Sequence, residues 1–83
     1  MIADAAMSIP GRFKLLLYLI MRPRTPTELA SLEGKHLSNV SRMLRELKAE
    51  GLVESAPSRS RERYYRATPD GYLMYAMISS RIK

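Results

Sequence analysis

The 83-residue chain contains no cysteine. A disulfide therefore cannot reinforce it, and neither a thiolate nucleophile nor a cysteine zinc site can be built. His36 is the single histidine, with no second imidazole to share a metal ion or activate a nucleophile. Paired carboxylate motifs, a glycine-rich phosphate loop and metal-ligand spacing are also missing. The reading is a protein that is not an enzyme and carries no cofactor or metal. Lack of cysteine fits a reducing cytoplasm, and equally a thermophile that avoids labile residues.

Long apolar runs are missing too. Phe13 to Met21 is interrupted only by Lys14, and Tyr72 to Ile78 is uninterrupted. Both fall well short of the ~18 to 20 residues a membrane span needs. The first nine residues hold no basic charge and no signal-peptide pattern, so a soluble, cytoplasmic chain without a membrane partner is expected. With no repeat, low-complexity tract or linker, one domain over residues 1–83 is expected, with 1–7 as a flexible end.

Acidic residues are few. Eight Asp and Glu face fourteen Lys and Arg, for a net charge of +6 and a pI near 10.1. Ten of the fourteen are arginine, whose planar fork suits phosphates and guanine edges. This balance favours an anionic partner, either nucleic acid or a membrane surface. The apolar helices lack the lysine-rich face of an interfacial membrane helix. No aromatic platform for stacking single-stranded bases is evident, which favours double-stranded DNA over RNA. A domain this small buries a limited share of its surface. Without disulfide or metal, oligomerisation is the remaining source of burial.

What is present is a clear order of start and stop signals. Ser8 and Pro10 open a helix that runs to about Met21, where Pro23 and Pro26 stop it. Its apolar residues wrap nearly the whole cylinder, so one side is expected to meet another subunit. Thr25 is the expected N-cap of a second, two-turn helix, with Pro26 at its first position and Glu28 completing a capping box. Leu29, Ala30 and Leu32 should point inward, and Gly34 should end the helix. A third helix runs from about Lys35 or Leu37 to Glu50, with Gly51 as its stop. Residues 52–56 and 63–67 read as strands around a loop at 57–62. Thr68-Pro69-Asp70 then starts a last helix, again apolar on every side, with Arg81 and Lys83 at its end. The fold class expected is mainly α with a small β-hairpin (α+β), ordered helix, helix, helix, strand, strand, helix.

The third helix divides into two faces. At ~100° per residue, Leu37, Val40, Leu44 and Leu47 fall within about 80° of one another and form the expected core stripe. Lys35, Ser38, Asn39, Arg42 and Arg45 fall opposite, while Ser41 and Lys48 flank that side. Asn can pair bidentately with adenine, Arg with guanine, and Ser and Lys with phosphates. Any surface helix can carry such residues. Here a short helix ended by Gly34 precedes it, and a basic hairpin follows. Arg59, Arg61 and Arg63 stand at alternate positions in that hairpin, and in an extended backbone they would point the same way. They could then track a phosphate backbone or enter a minor groove. Arg66 adds a fourth charge, Glu62 softens the total, and the serines are expected to leave the loop flexible. The candidate DNA contacts are thus Lys35, Ser38, Asn39, Ser41, Arg42, Arg45, Arg59, Arg61 and Arg63.

This element order is the winged helix-turn-helix plan. Two stretches, Thr27-Glu-Leu-Ala30 with residues 37–53, and residues 64–71, resemble MarR-like and related archaeal and bacterial winged-helix regulators. The resemblance implies a homodimeric transcription regulator on a pseudo-palindromic operator. It implies DNA reading by Lys35, Ser38, Asn39, Ser41 and Arg42, with the wing role on Arg59, Arg61 and Arg63. Full-length MarR regulators are longer, and their extra terminal helices form much of the dimer interface and effector pocket. In the present chain a dimer is expected through the first and last helices. Two other readings stay open. One is a winged-helix protein-interaction module, which would favour an acidic or neutral recognition face and a short wing. The other is a non-specific, chromatin-like DNA-coating protein.

Overall fold

Prolines and glycines punctuate the chain into its elements. The computed structural model describes residues 11–82, with side chains as far as residue 80. Within them the order is α1 (Gly11–Met21), α2 (Pro26–Glu33), α3 (Leu37–Ala49), β1 (Val53–Ala56), β2 (Tyr64–Ala67) and α4 (Pro69–Ile82). The expected flexible end at 1–7, the Ser8 cap, Pro10, the Arg81 side chain and Lys83 lie outside the described residues.

Thr25 begins α2 as its composition dictates. Its backbone is extended, its hydroxyl accepts from the Glu28 N–H at 3.3 Å, and the Glu28 carboxylate accepts from its own N–H at 2.8 Å. Two otherwise unpaired helix donors are satisfied reciprocally. Both α2 and α3 end in the same motif. Gly34 and Gly51 adopt left-handed φ of 63° and 75°. The next amides, of Lys35 and Leu52, reach back five residues to the carbonyls of Ala30 and Leu47. This Schellman closure needs a residue without a Cβ at the left-handed position. The α2–α3 connection is thereby only three residues long.

The hairpin is antiparallel, with Val53 opposite Ala67 and Ala56 opposite Tyr64. Arg24 adds a one-residue bridge to Tyr65, through paired backbone hydrogen bonds of 3.0 and 2.8 Å. Pro23 and Pro26 hold the preceding residues out of the helical region, which leaves this segment extended and free to pair. Thr68 then closes the hairpin onto α4. Its hydroxyl donates to the Gly51 carbonyl at 2.6 Å and accepts from the Gly71 N–H at 3.1 Å. Gly71 is buried, and a Cβ there would collide with the Leu52 carbonyl oxygen. A glycine is what allows α4 to pack this closely.

The core gathers Phe13, Leu15, Leu16 and Leu19 of α1, Leu29 of α2, Val40, Met43, Leu44 and Leu47 of α3, and Leu52 and Val53. Two expected core positions are corrected. Leu37 and Leu32 are both 47% exposed. Leu37 occupies the first turn of α3, where every residue before Val40 is exposed, and Leu32 lies on the outer side of a two-turn helix. Met43 takes the place of Leu37, so the buried stripe is rotated relative to the one expected. Tyr18, Tyr65, Met74, Tyr75 and Ile78 pack partly against this core. No helix among the described residues is long and apolar enough to cross a membrane.

Candidate nucleic-acid interface

Helix α3 is held from behind and open in front. Val40, Leu44 and Leu47 are fully buried, and Ser38, Asn39, Arg42 and Arg45 are exposed. Replacing Leu37 by Met43 in the stripe turns the free face toward Ser38 and Arg45. Ser41, at the edge of that face, is half-buried. Lys35 stands apart from the set. Its Nζ lies against the first turn of α1, within 2.7 Å of where a Gly11 Cβ would stand. His36 occupies the N-cap position without a side-chain cap hydrogen bond.

The wing differs from the extended ribbon expected. Residues 59–62 form a series of bends, so Arg59 and Arg61 do not sit on alternate rungs of a strand. The serines are the cause, and they tie the loop instead of loosening it. The Ser58 hydroxyl accepts from the Ser60 N–H at 3.1 Å and donates to the Glu62 carbonyl, and the Ser60 hydroxyl accepts from the Glu62 N–H at 3.2 Å. Short hydroxyl side chains replace the ladder with local turns. Arg59, Arg61 and Arg63 are all exposed.

Glu62 does more than soften the charge. Its carboxylate accepts from the Thr27 hydroxyl at 2.7 Å and the Thr27 N–H at 3.2 Å. The acceptor thus sits on an unpaired amide in the first turn of α2, where negative charge is favoured. At the other side of the wing, Ser55 Oγ accepts from both Lys48 Nζ at 3.2 Å and Arg63 Nε at 3.1 Å. Spacing alone placed Lys48 only at the margin of the exposed face and gave Ser55 and Thr27 no role. Contacts between residues far apart in the chain leave no local signal.

Three of the carboxylates pair with other arginines. Arg12 pairs with Glu50, Arg22 with Glu28 at 3.7 Å, and Arg66 with Glu54 at 3.0 Å across the hairpin. Among the described residues, no ion pair involves Arg42, Arg45, Lys48, Arg59, Arg61 or Arg63. The arginines of this set lie on the outer face of α3, which also carries the exposed Glu46, and in the wing, which carries Glu62.

The sequence model of the bacterial regulatory proteins of the arsR family matches residues 10–55, more than half of the chain. The chain belongs to the arsR family. This arsR-family chain has the winged helix-turn-helix fold, and the family is one of bacterial regulatory proteins. No curated protein matches it by sequence. Its fold is shared with solved MarR-family structures, as the winged-helix resemblance implies. The repressor MarR superposes with a TM-score of 0.80 at 24% identity, over 94% of this chain and 59% of that one. SlyA superposes at 0.79 with 21% identity, over 98% of this chain and 67% of that one. A cysteine-to-serine mutant of E. coli MarR, solved with operator DNA, superposes at 0.78 with 25% identity, over 92% and 57%. The chain spans little more than half the length of the MarR chains it matches.

Proposed function

We propose that this protein is a sequence-specific, double-stranded DNA-binding transcription regulator that acts in the cytoplasm as a homodimer. The observation that carries the reading is the exposed face of α3, whose Arg42 and Arg45 make no ion pair among the described residues, set on a buried stripe. In this reading Ser38, Asn39, Arg42 and Arg45 enter the major groove, where Asn and Arg can pair bidentately with base edges. Ser41 and Lys35 serve the flanks. Arg59, Arg61 and Arg63 supply charge to the phosphates or the minor groove, and so affinity more than sequence choice. The uncapped amides at the start of α3 suit an approaching phosphate. A MarR relative solved on operator DNA supports the same use of the fold.

Homodimerisation is supported by apolar surface on the two helices outside the reading unit. Leu17 and Met21 of α1, and Tyr72, Leu73 and Met77 of α4, are exposed. Apolar patches of this kind mark association surfaces. Two copies of α3 would then address half-sites about 34 Å apart, one turn of B-DNA.

Selection from random duplexes at fixed salt tests the reading. A single enriched, two-fold symmetric motif is the expected outcome. Enrichment of no motif despite tight binding would assign the chain to DNA coating, and absence of binding would leave partner docking. Arg42→Ala should relax base preference at one position of that motif, at a cost of ~1–3 kcal/mol.

A further inference from the structure

Ser55 holds two cations on one oxygen. Its hydroxyl has two lone pairs and one proton. Lys48 Nζ and Arg63 Nε donate to it at 3.2 and 3.1 Å. Both lone pairs are thereby used, and the O–H must point away from them. The described hydrogen bonds give that proton no acceptor. Lys48 keeps two further N–H donors, and Arg63 keeps those of its terminal nitrogens. The three groups therefore present donors only. No described carboxylate pairs with either cation, although Glu54 stands next to Ser55 in sequence; Glu54 is taken by Arg66.

We infer that Lys48, Ser55 and Arg63 form a notch that seats one backbone phosphate of duplex DNA. A phosphodiester carries one negative charge and two free oxygens, which matches two cations and a hydroxyl donor and leaves no acceptor facing it. It also relieves the repulsion between two like charges held to a single atom. The position adds to the case. Lys48 is in the last turn of α3, Ser55 is in β1, and Arg63 immediately precedes β2. The phosphate would sit at the junction of reading helix and wing. It would fix the angle and depth at which α3 enters the groove, without reading a base. This assignment rests on the duplex-binding reading above and names a residue set for it.

The test is fluorescence anisotropy of the full chain with a random-sequence duplex across a potassium chloride series. Lys48→Gln, Arg63→Gln and their double variant are compared, with circular dichroism and a thermal melt as checks on folding. Each single change weakens binding. The double variant flattens the log–log salt slope by about 0.9, the increment of one phosphate, because both cations share it. A slope loss near twice that value, or none, overturns the notch. Ser55→Ala keeps both charges, yet it should weaken binding several-fold, and Ser55→Thr should restore it. Wild-type affinity in a folded Ser55→Ala variant also overturns the notch. If the wild-type chain itself shows no salt-dependent duplex binding, the failure lies in the parent reading, not in these three residues.

Discussion

Met43 is 8% exposed and Leu37 is 47% exposed, and the two side chains should respond to truncation very differently. Met43→Ala removes core contacts and should cost ~2–5 kcal/mol. Leu37→Ala removes little buried surface and should stay within about 0.5 kcal/mol. Urea unfolding of the two variants measures both. Equal losses would show that the first turn of α3 is packed after all. Val40, Leu44 and Leu47 were legible because helical periodicity fixes the angle of each side chain. Leu37 was misread because periodicity says nothing about where along its length a helix meets its neighbours. The same limit applies to Leu32. Ser58 and Ser60 were misread for another reason: small hydroxyl residues loosen a chain only when their oxygens find no local partner, and here each finds one.

At the scale of elements, the N-terminus of α2 makes stability depend on pH. The hydrogen bond from the Thr25 N–H is the largest influence on Glu28 and holds its carboxyl below its ordinary value of 4.5, although partial burial works the other way. A depressed folded-state pKa means the unfolded state takes up its proton first. The capping box therefore contributes fully above about pH 4.5, and its contribution is lost as pH falls through the lower folded-state value. Melting temperature followed from pH 6 to pH 3 should fall more steeply for the wild type than for Glu28→Gln. Parallel curves would remove Glu28 from the acid response. The bounds of α2, α3 and α4 were readable because caps and stops are local chemistry, written within four residues. The bridge from Arg24 to Tyr65 was not, since its partners are far apart and only the two flanking prolines hint at extended backbone. The latch of Glu62 on Thr27 had no such hint.

For the whole molecule, the proposed assembly rests on α1 and α4, the helices that flank the helix-turn-helix. Leu73 is 60% and Met77 48% exposed, four residues apart on one side of α4. Leu73→Glu combined with Met77→Glu should leave the far-UV spectrum intact and convert a dimer to a monomer in sedimentation velocity at micromolar concentration. Duplex affinity should fall with it, because the second half-site no longer arrives linked to the first. A wild type that sediments as a stable monomer would sink the assembly argument. The apolar wrap of both helices was visible in composition, but the side left uncovered depends on how four helices share one small core. The two ties of the wing carry a kinematic consequence. Glu62 fastens it to the start of α2, and Ser55 fastens its base to the end of α3. Wing and reading helix then move as one lever. If two such protomers pair on DNA as proposed, two quantities are left to tune, the distance and the twist between the levers, and the spacing between half-sites would gauge both.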